Sequence, residues 1–141
     1  MYVTRLGTQG FRNLCDQELF PCQGVNVIYG GNAQGKTNLL EAVWLLTGGK
    51  SFRGGKDAEL VRRGESFAVL EATRLRAQQE EQEPDEPNRV RLTVGTPDSQ
   101  RPGRYASVNG AAPRRAAGLA GSFPAVVFDP GHLSLVKGAP E

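Results

Sequence analysis

The feature that most constrains this chain is the octet Gly30-Gly31-Asn32-Ala33-Gln34-Gly35-Lys36-Thr37, which fits the pattern G-x-x-x-x-G-K-[ST]. It lies between an apolar, β-branched run, Gly24-Val25-Asn26-Val27-Ile28-Tyr29, and the segment Lys36 to Thr47, KTNLLEAVWLLT, which is rich in helix formers and is stopped by Gly48-Gly49. The order strand, glycine loop, helix turns consecutive backbone N–H groups inward around phosphates, and the helix then aims its unpaired N–H groups at the same anion. Gly30 and Gly35 occupy the positions where a Cβ would obstruct that approach. Lys36 reaches the β- and γ-phosphates, and the Thr37 hydroxyl suits the shell of a Mg²⁺ that keeps most of its waters. The expected ligands are therefore ATP and Mg²⁺, held by Gly30, Gly31, Asn32, Ala33, Gln34, Gly35, Lys36, Thr37 and Asn38. The octet serves kinases, GTPases, helicases and mechanical ATPases alike, so it leaves the fate of the nucleotide open.

A length of 141 residues admits one compact domain. Strands are predicted over Tyr2 to Phe11, Gln17 to Phe20, Val25 to Tyr29, Phe67 to Leu75, Arg89 to Val94, Arg104 to Val108 and Ala125 to Phe128. Helices are expected over Lys36 to Thr47, Pro113 to Ala120 and Gly131 to Val136. Val25 to Tyr29 and Ala125 to Phe128 read as buried core strands ending at the nucleotide, and the middle section as an antiparallel lobe. The fold class is α/β.

The net charge of +2 does not by itself announce nucleic acid. Residues 77–88 hold five acids and no base, and without them the chain carries 17 bases against 10 acids. That acidic, proline-broken stretch has no large apolar side chain to offset its ordering entropy, so it is expected to be a flexible loop within a single unit spanning 1–141. No apolar run reaches the roughly 20 residues needed to cross a bilayer, and the opening MYVTRLGTQG lacks a signal-peptide layout, so a cytoplasmic location is expected. Cys15 and Cys22 have no companions at zinc-ligand spacing and read as ordinary thiols.

Beyond the octet, the order of short elements resembles the RecF family, DNA gap-repair ATPases related to SMC and other ABC-type head domains. Gly10-Phe11-Arg12-Asn13-Leu14 looks like the family's FRN segment, and Gly35 to Ala42, GKTNLLEA, like its loop-to-helix junction. Lys50-Ser51-Phe52-Arg53 is similar to its K/R-S-F-R element and Val108-Asn109-Gly110 to its I-N-G turn. Phe128-Asp129-Pro130 and Leu133 to Pro140, LSLVKGAP, match its F-x-P and L-x-L-V-K-G-x-P segments, although Gly131-His132 stands where the family has an acidic pair.

The resemblance implies a P-loop head of ABC/SMC type, a mixed core sheet with an antiparallel β lobe. It covers essentially all of this chain and less than half of a usual family member, so the helical lobe and the C-terminal core are expected to lie outside it, and the chain is expected to be an N-terminal fragment. It further implies a DNA repair, replication and SOS-response role in which ATP closes a homodimer on DNA at single-strand gaps and junctions, assisted by RecO and RecR and leading to RecA loading. Arg12 would approach the nucleotide. No apolar run here ends in the paired acids that hold Mg²⁺ and polarise water, so ATP binding without appreciable turnover is expected of this chain.

Lys50, Arg53 and Lys56 form a basic stretch with two open readings, a DNA-phosphate contact loop and a solvated surface. Arg101, Arg104, Arg114 and Arg115 are a looser basic set, Trp44 reads as core packing, and His132 as structural or exposed. A different class, a P-loop kinase or phosphotransferase, remains as the alternative, since the octet alone does not exclude it.

Overall fold

The computed structural model describes residues 1–30, 35–75, 86–111, 119 and 122–128. Its frame is a five-stranded antiparallel sheet in the order β2-β1-β3-β4-β5, built from β1 (Tyr2–Gln9), β2 (Gln17–Leu19), β3 (Phe67–Leu75), β4 (Asn88–Gly95) and β5 (Gly103–Val108). Period-2 alternation sets its faces. Ala68, Leu70 and Ala72 of β3 face inward opposite Val94, Leu92 and Val90 of β4, and Ala106 of β5 lies opposite Leu92. The intervening positions of β3 and β4 carry Glu71, Thr73, Arg91 and Thr93, together with the buried Val69. Glu71 there accepts from Arg5 at 3.3 Å, with Arg91 and Arg89 at 3.7 and 3.8 Å.

One helix, α1 (Lys36–Leu45), adds Leu39, Ala42, Leu45 and the following Leu46 to the same buried cluster, together with Phe11, Leu14, Leu60, Val61, Leu119 and Phe123. Its apolar residues run almost all round, and Leu40 is left 46% exposed. A short 3₁₀ turn, Asp57–Leu60, leads back toward β3. From the inner face of β3, Arg74 donates to the Ser122 carbonyl at 2.5 Å, which ties the segment around Phe123 to the sheet.

The expected antiparallel lobe and central helix are present, but two expected strands are not. Val25 to Tyr29 and Ala125 to Phe128 form no strand, and they are open to solvent: Val25 is 87% exposed, Tyr29 89%, Val126 85% and Phe128 79%. A buried strand needs a ladder on both sides, and none of the described strands runs beside either segment. Asn26 adds a local competitor. Its side chain accepts from the Cys22 N–H at 2.9 Å and donates to the Cys22 carbonyl at 3.0 Å, which closes a turn where a ladder was expected. Residues 112–118 and 131–141, where two short helices and the LSLVKGAP match fall, lie outside the described residues, as do Arg114, Arg115 and His132. Of the acidic stretch 77–88, residues 77–85 likewise lie outside, while Glu86 and Pro87 are exposed and Asn88 opens β4.

Candidate nucleotide site

Gly35 is the cap of α1, with φ 84° and ψ 16°, a left-handed conformation that L side chains rarely adopt. Space gives a second reason for glycine here: a Cβ built on Gly35 would stand 2.6 Å from Leu14 Cδ2. The first turn of α1 contains no acidic residue and receives no side-chain cap, so its leading N–H groups stay available to an anion. Lys36 donates its ammonium to the Gly30 carbonyl at 2.6 Å, so the two ends of the octet are closed onto each other. Gly31, Asn32, Ala33 and Gln34, between those ends, lie outside the described residues.

Thr37, next to Lys36, is exposed. Asn38 differs, being 8% exposed and donating its amide to Asn13 Oδ1. Arg12 has φ 42° and holds Glu41 with two hydrogen bonds, Nε to Oε1 at 2.5 Å and Nη2 to Oε2 at 3.1 Å. Three consecutive residues therefore meet α1 in steps of three: Arg12 at Glu41, Asn13 at Asn38, and Leu14 at Gly35. Such steps follow one stripe of a helix, so the Arg12-Asn13-Leu14 turn lies along the stripe that ends at the phosphate loop. A groove of about 720 Å³ opens alongside, lined by Arg12, Asn13, Asn38, Arg53 and Arg62 among others.

The basic stretch divides. Lys50 and Lys56 are exposed and line a separate groove of about 530 Å³ with Arg104, whose guanidinium is tied to Asp57 at 2.8 Å and to the Gly49 carbonyl at 3.1 Å. Arg53 leans the other way, its Nε 3.9 Å from Glu41 Oε2. Trp44 is half-buried and donates to the Lys50 carbonyl at 2.9 Å, which braces the loop after α1.

Sequence reasoning missed Glu41, Asn13, Leu14 and Ser51, whose hydroxyl donates to Glu41 Oε2. One signal was available: Glu41 shares a helical stripe with Asn38 and Leu45, in a helix otherwise apolar nearly all round. Among the described residues no group of three or more His, Cys, Asp or Glu could hold a metal. The residues present fit a triphosphate, since the left-handed capping glycine, the lysine ammonium and the uncapped helix start are groups that an anion would engage.

Comparison with known proteins bears on this geometry. The AAA domain family matches residues 5–98, a span that contains the octet, α1, β3, β4 and most of β1. The RecF DNA replication and repair protein of Thermoanaerobacter sp. (strain X514) is 36% identical over 140 residues, 99% of this chain and 36% of that protein. The chain belongs to the AAA domain family.

The RecF protein of Geobacter sp. (strain M21) is likewise 36% identical, over 100% of this chain and 35% of its own length. The chain thus spans little more than a third of the RecF relatives it matches. A solved structure described as the recombination mediator protein RecF-ATP in the RecFOR pathway superposes with a TM-score of 0.82 at 34% identity, over 99% of this chain and 35% of that one. An SMC ATPase structure superposes at 0.74 over 99% of this chain and 93% of that one, with 17% identity, so it shares the fold. The expected resemblance to RecF over this chain and the P-loop head fold of ABC/SMC type are both borne out by these findings.

Proposed function

We propose that this chain binds ATP with Mg²⁺ through the octet, as the nucleotide-binding part of a RecF-type DNA repair ATPase. The observation that carries the reading is the closure of the octet: Lys36 reaches back 2.6 Å to Gly30 while Gly35 sits left-handed against Leu14. With the ammonium held, among the described residues, only by the Gly30 carbonyl and the leading α1 N–H groups uncapped, β- and γ-phosphate oxygens would displace that carbonyl from Lys36. The Thr37 hydroxyl would hold Mg²⁺, which supplies charge neutralisation between the phosphates. Gly31, Asn32, Ala33 and Gln34 contribute main-chain N–H groups, Asn38 steadies the turn through Asn13, and Arg12 borders the nucleotide from the adjacent groove.

In the whole protein, ATP acts as the switch of a clamp: two copies close around it on DNA at single-strand gaps or junctions, and with RecO and RecR assist RecA loading in the cytoplasm. The basis for this is the RecF relationship together with the exposed Lys50 and Lys56, which suit sequence-independent phosphate contacts. No described helix is long and apolar enough to cross a membrane. Multiple turnover needs a carboxylate on Mg²⁺ and water, which no apolar run of this sequence supplies.

Calorimetric titration of the 141-residue chain with Mg²⁺ and the ATP analogue ATPγS tests the reading, with Lys36→Ala as the control. The wild type is expected to bind and the variant to lose at least about ten-fold in affinity while melting within a degree or two, because the ammonium makes a single exposed hydrogen bond. Absence of heat from folded wild type, or equal affinity in both, overturns it.

A further inference from the structure

Glu41 is the one fully buried acid among the described residues, at 0% exposure. A carboxylate withdrawn from water is costly unless opposite charge and hydrogen bonds replace its hydration. Both replacements are present. Arg12 donates Nε and Nη2 to the two oxygens, Ser51 donates its hydroxyl to Oε2, and Arg53 Nε stands 3.9 Å away.

The fork occupies only one edge of the Arg12 guanidinium. Nη1 has no partner among the described residues, and Arg12 borders a groove lined also by Asn13 and Asn38, while the next residue but one, Leu14, packs where a Cβ on Gly35 would stand. Arg12 also keeps φ at 42°, which costs a non-glycine residue about 1 kcal/mol and persists only where surrounding contacts enforce it. A planar guanidinium held along one edge by a carboxylate has its other edge fixed in direction, ready for bidentate contact with a phosphate.

We infer that Glu41 is a positioning residue that presents Arg12 to the phosphates of the nucleotide. This rests on the nucleotide-binding reading above and deepens it, because Glu41 touches no ligand and acts only through Arg12. The alternative role for the same contacts is a clamp that merely fastens the opening turn to α1.

Titration with Mg²⁺ and ATPγS of the wild type, Glu41→Gln, Arg12→Ala and the double variant separates the two. Glu41→Gln preserves volume but exchanges the anionic fork for an amide, and it is expected to weaken binding about ten-fold, the usual size of an outer partner's effect. The double variant should bind no more weakly than Arg12→Ala alone, since Glu41 has nothing to orient once Arg12 is gone. Ser51→Ala removes one donor from the same carboxylate and leaves the fork intact, so its affinity should stay within about two-fold of wild type even where its melting temperature falls.

The inference is overturned if Glu41→Gln binds as well as or better than wild type, if the two losses multiply in the double variant, or if Ser51→Ala loses as much affinity as Glu41→Gln. Should Glu41→Gln fail to fold, Arg12→Lys keeps the charge without the fork and is expected to lose affinity as Arg12→Ala does; undiminished binding overturns the inference. Wild type that takes no nucleotide removes the reading beneath it, whereas binding wild type with an indifferent Glu41→Gln removes the inference alone.

Discussion

Leu14 and Gly35 interlock: Leu14 Cδ2 occupies a point 2.6 Å from where a Cβ on Gly35 would sit, and Gly35 itself has φ 84°. Two separate penalties therefore oppose any side chain at position 35. The left-handed backbone costs an L residue about 1–2 kcal/mol, and overpacking against a buried leucine typically costs about 1–3 kcal/mol. Gly35→Ala is expected to destabilise by about 2–5 kcal/mol in urea unfolding. In a Leu14→Ala background the added cost should shrink to the backbone part, about 1–2 kcal/mol. An equal increment in both backgrounds would show that the contact with Leu14 carries no energy.

The division of the basic stretch predicts different consequences for its members. Lys50 and Lys56 line one groove and are exposed, so in a protein that contains this loop Lys50→Glu with Lys56→Glu should weaken binding of a gapped duplex uniformly across sequences. The slope of log affinity against log salt should fall by about one for each phosphate contact removed. Arg53→Glu behaves differently, because it sets a second carboxylate near the buried Glu41 where a guanidinium now stands at 3.9 Å. It should lower the melting temperature, unlike the lysine pair. Anisotropy titrations at several salt concentrations check this, and an unchanged slope for the lysine pair counts against a DNA role.

How much could be read in the sequence depended on whether burial was decided locally. Leu70 and Leu92 face each other across β3 and β4, and each sits in a period-2 pattern that places it on the inner face without knowledge of the partner. The octet and α1 were legible for the same reason, since capping glycine, lysine and helix are neighbours in sequence. Val25 to Tyr29 was not: an apolar run specifies burial only when other strands flank it, and Asn26 closes a turn on Cys22 instead. Glu41 escaped because acids in helices are ordinarily assigned to solvent, while its donors come from residues 29 positions before it and 10 after it.

That contrast has a measurable consequence. Val25 and Val27 are 87% and 78% exposed, so Val25→Thr and Val27→Thr should each change unfolding free energy by less than about 0.5 kcal/mol. Leu92→Ala, at 0% exposure, should cost about 2–5 kcal/mol. Urea unfolding of the 141-residue chain compares them directly, and comparable losses at Val27 and Leu92 would mean that the 24–29 run is packed in solution.

Asp16 links the opening turn to pH. Its carboxylate accepts from the Gly10 N–H at 2.9 Å and from Arg62 Nη2 at 3.0 Å, and Arg62 also donates to the Leu14 carbonyl. The backbone N–H first, and then the guanidinium, hold its pKa below the ordinary 3.8. A carboxylate whose pKa is lower folded than unfolded contributes stability above the unfolded value, and that contribution is lost as pH falls through the folded value. Asp16→Asn should therefore melt below wild type at pH 7, and the gap should narrow as pH drops past about 4, where the unfolded chain begins to take up the proton. Because the carboxylate is largely in water, the gap is expected to be small and to shrink further with salt, as for other exposed ion pairs. Melting curves from pH 7 to about 3 at low and high ionic strength decide it. A gap independent of pH would mean that Asp16 holds the turn through shape alone, since an asparagine oxygen can still accept the Gly10 N–H.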